Sequence, residues 1–200
     1  MDWMTLFQSA LILFAIVNPI GSIPIFLQLT GKMSPEAKRS AFRTAVFTSF
    51  LILFAFILAG KWILTYFFQI QLPDLMAAGG LLLLIIAIDQ LVFGALARNA
   101  VSLEGNGARQ IGAVPMACPI LAGPGAMMTV FVTYTEDGFL IAALSIVLVL
   151  GITSLLLYFI DKLYRFLGEI VCLVLSKILS LFLAAIGIRL LMTGLAQYFK

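Results

Sequence analysis

The chain has 200 residues, of which 63% are hydrophobic, 10% are charged and none is histidine. Because soluble domains carry about 25% charged residues, this composition excludes an ordinary soluble fold and predicts a surface that faces lipid. The missing histidine excludes zinc-protease motifs and Ser–His catalysis, so we expect neither an enzyme nor a bound metal or cofactor.

Six apolar segments are long enough to cross a bilayer, whose hydrocarbon core requires about 20 helical residues. The polar links between them are too short to form a separate soluble domain. The sequence therefore predicts an all-α polytopic membrane protein with six transmembrane helices. The predicted spans are residues 4–27, 40–60, 74–96, 111–134, 139–160 and 177–198.

Basic residues concentrate on one side of this predicted topology. Nine of the 12 lysines and arginines lie in or beside the links that follow spans one, three and five. Cytoplasmic loops of membrane proteins carry an excess of such residues, so both termini are predicted on the non-cytoplasmic side. The net charge of +3 thus reflects membrane topology, and we expect no nucleic-acid partner.

The first span contains the sequence NPIGSIP, which should interrupt its helix. A residue before proline is pushed out of the α region, so the helix is expected to end at Asn18, ahead of Pro19. Gly21 and Ser22 supply a turn, and Pro24 suits the first turn of a new half-helix. The sequence therefore predicts a broken first span.

The fourth span is predicted to be broken in a similar way. The segment Gly123-Pro124-Gly125 has no large side chain, so a ligand could approach its backbone closely. Thr129 follows one turn beyond Pro124. Its hydroxyl either faces a substrate or donates a hydrogen bond to a carbonyl of the preceding turn.

The two predicted breaks are related by a shift of 100 residues. Pro19 and Pro24 then align with Pro119 and Pro124. If this likeness is not chance similarity between apolar segments, each half has three spans, and the second half enters the membrane from the opposite side. Such inverted repeats recur among secondary transporters. The predicted single transmembrane domain consists of repeat one (1–97), a linker (98–110) and repeat two (111–200).

Unwound backbone inside a bilayer is tolerated only where protein or a water-filled cavity covers it. Half-helix N-termini suit a carboxylate, and C-terminal carbonyls suit an ammonium group. The breaks therefore predict a midplane site for a small zwitterion. The alternative is that proline and glycine only kink two helices for packing. The predicted substrate-binding residues are Asn18, Pro19, Gly21, Ser22, Pro24, Gly123, Pro124, Gly125 and Thr129.

Two charged residues lie deep in apolar sequence, at equivalent positions of the two repeats: Asp89 and Arg189. An ionisable residue within a membrane is a functional candidate. Asp89 is a candidate for carrying a coupling proton, and Arg189 for meeting either a substrate carboxylate or the aspartate. Alternatively, Arg189 extends toward lipid headgroups, and the two residues lie in opposite leaflets, too far apart to pair.

The motifs NPIG at 18–21, AGG at 78–80 and AGPGA at 122–126 resemble those of the MarC family of six-span bacterial and archaeal membrane proteins. The resemblance extends over essentially the whole chain. It implies a proton-coupled, alternating-access transporter of small neutral amino acids, such as glycine and alanine, in the inner membrane. The alternatives are an exporter of other small metabolites or drugs, and a non-transporting membrane scaffold.

Overall fold

A computed structural model describes residues 3–62, 69, 71–93 and 107–197 of the chain. All regular secondary structure in these ranges is helical, which confirms the all-α prediction. Most of the predicted linker, through residue 106, lies outside the described residues. The helices are α1 (Trp3–Val17), α2 (Ile23–Thr30), α3 (Pro35–Trp62), α4 (Leu72–Ile88) with a π-helical end (Asp89–Phe93), α5 (Ala108–Ile111), α6 (Gly112–Leu121), α7 (Pro124–Asp137), α8 (Phe139–Tyr158) and α9 (Ile160–Ala196).

Four helices in the described part of the chain are long and apolar enough to cross a membrane. They correspond to predicted spans two, three, five and six. Predicted spans one and four are each divided, the first into α1 and α2, the other into α5–α6 and α7. The prediction of six spans with the first and fourth broken is therefore confirmed. The four continuous crossings are Pro35–Gly60, Pro73–Val92, Phe139–Tyr158 and Leu173–Ala196.

Spans two and five run in opposite directions along each other. The ammonium of Lys38, near the start of α3, pairs with the carboxylate of Asp161, just after α8. At the far ends of the same helices, the rings of Phe54 and Phe139 meet edge to face with centroids 5.9 Å apart. Corresponding helices of the two halves are therefore antiparallel, as an inverted repeat requires.

Spans three and six also pack antiparallel, and glycines allow very close contact between them. A Cβ on Gly80 would overlap backbone atoms of Gly187 and Leu191. Further along the pair, a Cβ on Gly194 would overlap backbone atoms of Ala77. Small residues let two membrane helices approach in this way, and their backbones then make extensive van der Waals contact.

The packing between the two halves follows the symmetry expected of a repeat. Helix α1 packs on α8, and the equivalent pair, α6 and α3, is also in contact. Likewise α7 packs on α4, and the equivalent α2 packs on α9. Each contact between a helix of the first half and a helix of the second half thus has a counterpart between the two equivalent helices.

The π-helical end of α4 receives its polar partners from α9. The Lys177 ammonium donates to the carbonyl oxygens of Gln90 and Leu91, at 2.6 Å each. The Ser180 hydroxyl donates to the side-chain oxygen of Gln90 at 2.8 Å. A π-helical turn displaces carbonyls from the regular helical pattern, and α9 supplies donors for two of them.

The two ends of the bundle differ in charge. At one end Arg39 lies with its guanidinium carbon 5.6 Å from the centroid of the Tyr158 ring, and the Lys162 ammonium lies 5.6 Å from that of Phe159. We call this the basic end, and its cations include Lys38, Arg39, Arg43, Arg109 and Lys162. The opposite end, which we call the acidic end, carries Asp74, Glu136 and Asp137.

Candidate functional site

The first break is closed by the side chain of Asn18. This residue follows the end of α1 with φ of 46°, a left-handed conformation that asparagine tolerates better than most residues. Its side-chain oxygen accepts a hydrogen bond from the Gly21 N–H at 3.0 Å. The Ser22 hydroxyl donates to the Asn18 carbonyl, also at 3.0 Å. Because a Cβ on Gly21 would overlap the Asn18 amide, the turn requires glycine there.

We expect Asn18→Ala to lower the free energy of unfolding by about 2 kcal/mol. The buried Gly21 N–H would lose its acceptor, and alanine would be held in an unfavourable left-handed conformation. Asn18→Gly should cost only about half as much, since glycine adopts positive φ readily. Thermal unfolding in detergent would measure both variants. If both variants lose the same free energy of unfolding, the left-handed conformation of residue 18 does not contribute to the cost of Asn18→Ala.

The second break begins with two departures from helical geometry within α6. Val114 has φ −140° and ψ 119°, and Cys118 has φ −124° and ψ 121°. Each of these residues precedes a proline, which disfavours the α region at that position. Gly123 is extended, with φ −72° and ψ 171°, and Pro124 occupies the first turn of α7. In both breaks the residue before a proline is non-helical, although Asn18 is left-handed whereas Val114 and Cys118 are extended.

The two helices that lead from the breaks toward the acidic end have similar lengths. Helix α1 has 15 residues before the first break, and α7 has 14 residues after the second. Both lengths correspond to about 21–23 Å at the rise of an α-helix. The helices are joined near the acidic end, where the Ser9 hydroxyl donates to the Asp137 carboxylate at 3.2 Å. Both interruptions are buried in protein, as Asn18 is 3% and Ala122 0% exposed.

Three buried polar atoms, two on the broken spans and one on α8, lack hydrogen-bond partners: Nδ2 of Asn18, Oγ1 of Thr129 and Oγ of Ser145. They are the only such side-chain atoms in the described residues. Their helices, α1, α7 and α8, pack against one another. An unsatisfied buried polar group costs about 1–3 kcal/mol, so three of them in contacting helices need an explanation.

Three other buried hydroxyls of the bundle have partners within their own helices. The hydroxyls of Thr30, Ser49 and Thr153 each donate to the carbonyl four residues earlier, at 2.7 Å. Thr129 makes no such bond. Of the two arrangements that the sequence left open for Thr129, its own preceding carbonyl is therefore not the partner. Its hydroxyl remains available to a ligand.

The predicted site glycines have contacts of different kinds. A Cβ on Gly125 would overlap the side chain of Leu83, so this glycine lets α4 pack closely on α7. Pro19 is buried within the first turn, and Pro24 lies in the first turn of α2. Gly123 is buried, and its carbonyl accepts the Met127 N–H at 3.0 Å. Close helix packing thus explains Gly125 without a ligand.

The two predicted charged candidates lie apart. In the antiparallel α4–α9 pair, Gly80 faces Gly187 while Gln90 faces Lys177. Asp89 is thus about eleven residues, or roughly 16 Å at helical rise, from the level of Arg189. Arg189 is exposed on the outer surface of the bundle, and Asp89 is partly buried. This placement favours the alternative in which the two charges are too far apart to pair.

Two residues near the breaks were not found from the sequence. Ser145 lies in a largely apolar span, where a serine normally bonds to its own helix. Ser176 donates its hydroxyl to the carbonyl of Gly21 at 3.1 Å and so joins α9 to the first break. Neither residue stands in a recognisable motif, and only the packing of the helices identifies them.

The chain is similar to known integral membrane proteins. The family model described as MarC family integral membrane protein matches residues 3–199. The chain belongs to the MarC family. This MarC-family chain is 33% identical over 198 residues to a UPF0056 membrane protein of Archaeoglobus fulgidus. The alignment covers 96% of this chain and 92% of the archaeal protein.

Other relatives of the MarC-family chain span archaea and bacteria. A UPF0056 membrane protein of Methanocaldococcus jannaschii is 34% identical over 191 residues, with 92% of each chain covered. The UPF0056 membrane protein YhcE of Escherichia coli is 29% identical over 205 residues, covering 99% of this chain and 95% of YhcE. No solved structure matches the chain. The protein is therefore a multi-pass integral membrane protein of this family.

Proposed function

We propose that this protein is a secondary active transporter of small neutral amino acids of the size of glycine or alanine. The observation that carries the proposal is the set of three unpartnered polar atoms on Asn18, Thr129 and Ser145. The Asn18 amide can donate to a carboxylate. The two hydroxyls can donate to the same carboxylate or accept from an ammonium group.

The surroundings of the second break favour a small solute. Ala122 and Ala126 are 0% and 2% exposed, and Gly123 and Gly125 are buried beside them. Because these small residues are closely packed, little space remains beside the second break, and a large substrate would not fit there. A zwitterion without a charged side chain matches the donors and acceptors around the breaks.

The repeat supplies a means of alternating access. Because the contacts of one half recur in the other with exchanged roles, a second packing of similar energy is accessible when one repeat rocks against the other. We further propose that both termini lie on the non-cytoplasmic side of the inner membrane. In this proposal Asp89 is the candidate for carrying a coupling proton.

The proposal is tested by reconstituting the purified protein into liposomes and following labelled glycine, alanine and serine. Imposed pH and sodium gradients are applied separately. We expect saturable uptake that exchanges with unlabelled substrate and accelerates when the pH gradient is imposed. Flux that does not saturate would indicate a channel. The absence of any flux for all three amino acids would contradict the proposed function.

A further inference from the structure

A cavity of about 620 Å³ opens between α3 and α8 at the basic end. Its residues belong mainly to spans two and five, and none of them is among the predicted substrate-binding residues. Its polar part is formed by Ser40, Arg43, Thr44, Arg109 and Ser154. Nothing in the transport site described above explains why these groups are gathered there.

The cavity carries two positive charges without a negative one. Arg43 lies on α3, and Arg109 lies on α5. The chain just after α5 is held tightly against α3, because a Cβ on Gly112 would overlap the Ala41 carbonyl oxygen. Among the described residues that line the cavity none is acidic, and the nearby Asp161 pairs with Lys38. Two guanidinium groups in one cavity favour an anion, above all a phosphate, which they bind through paired hydrogen bonds.

The deeper part of the cavity is apolar. Phe47 and Val147 line it, and their side chains are 63% and 52% exposed. Phe47 lies one turn, about 6 Å, beyond Arg43 toward the membrane centre. Gly151 also lines the cavity, and a Cβ there would meet no atom within 4 Å. The cavity therefore changes from cationic at the bundle end to open and apolar at depth.

We propose that this cavity binds an anionic phospholipid, with its phosphate between Arg43 and Arg109 and an acyl chain along Phe47 and Val147. A free phosphate ion would use only the cationic half, whereas a phospholipid uses both. Basic pockets between transmembrane helices are suited to such headgroups. Since α3 belongs to the first half and α8 to the second, the bound lipid contacts both repeats. The site is independent of the proposed amino-acid transport.

Native mass spectrometry of the full-length protein in detergent tests the charge requirement. The probes are phosphatidylglycerol and phosphatidylcholine with identical acyl chains. We expect retained phosphatidylglycerol on the native protein, and a loss of roughly tenfold or more in its affinity when Arg43→Gln and Arg109→Gln are combined. The matched control is Arg39→Gln with Lys162→Gln, which removes two cations of the same end that do not line the cavity. Unchanged affinity in the first pair, or an equal loss in both pairs, would overturn the proposal.

A second pair of variants tests the apolar half without altering charge. Gly151→Phe fills open space beside the acyl position, while Ile152→Phe adds a similar side chain next to it on a residue that does not line the cavity. We expect only Gly151→Phe to reduce phosphatidylglycerol retention. Inorganic phosphate is tested as a competitor at equal concentration. If phosphate displaces the lipid fully, the site recognises a free anion, and if Gly151→Phe has no effect, no acyl chain lies beside that residue. Either result would overturn the lipid assignment.

Discussion

Thr129→Val combined with Ser145→Ala should nearly abolish amino-acid transport while the empty protein becomes more stable. Both hydroxyls are buried and lack partners. A hydrogen bond to a charged group contributes about 1.5–3 kcal/mol, so losing two should weaken substrate affinity roughly a hundredfold or more. Transport into liposomes at substrate concentrations near the native half-saturation point would measure the loss.

The stability of the same variants provides a test with the opposite sign. Removing an unsatisfied buried hydroxyl removes the cost of burying it, so each substitution should raise the free energy of unfolding by about 1 kcal/mol. Thermal unfolding without substrate would detect the gain. Thr153→Val is the matched control, because that hydroxyl is equally buried but bonded to the Val149 carbonyl at 2.7 Å. If all three substitutions destabilise alike, the account of these hydroxyls is wrong.

Gly80→Val should prevent the two halves from packing. The added side chain would overlap backbone atoms of Gly187 and Leu191, and backbone cannot move aside as a flexible side chain can. Overpacking usually costs about 1–3 kcal/mol and more where the contact is rigid. We therefore expect at least about 3 kcal/mol, enough to leave much of the protein unfolded or aggregated. The yield of monodisperse protein and its unfolding temperature would measure this.

The control for Gly80→Val is the same substitution at Gly151. This glycine also lies inside a membrane-crossing helix, but a Cβ there meets no atom within 4 Å. Both variants add the same side chain and change the hydrophobicity equally, but only at position 80 does the new side chain meet another helix. We expect Gly151→Val to leave the folded yield nearly unchanged. A comparable loss at both positions would show that the effect arises from β-branching or insertion rather than from close helix contact.

The positions of the breaks were predictable because their cause is local. A proline disfavours the helical region at the residue before it whatever the tertiary structure, so Asn18 and Cys118 left that region as the sequence indicated. The opposite orientation of the two repeats was also predictable. Because each half has three spans, an odd number, the second half must enter the membrane from the opposite side. Both inferences use steric and topological rules that need no knowledge of packing.

The contacts around the breaks depended on packing and could not be predicted in the same way. Gly125 was expected to admit a ligand, but it admits the Leu83 side chain from another span. Ser145 has no local signal, and its missing hydrogen bond appears only in the assembled bundle. The cavity with Arg43 and Arg109 likewise depends on how closely Gly112 packs on α3. Such features arise from residues far apart in sequence.

Equilibrium binding of labelled alanine to the purified protein is the most direct test of the central claim, that the unpartnered polar atoms near the breaks hold an amino acid. The native protein and the Thr129→Val, Ser145→Ala double variant would be compared, with unlabelled glycine as competitor. We predict saturable binding to the native protein, displaced by glycine and lost in the double variant. Equal binding by both proteins would contradict the account.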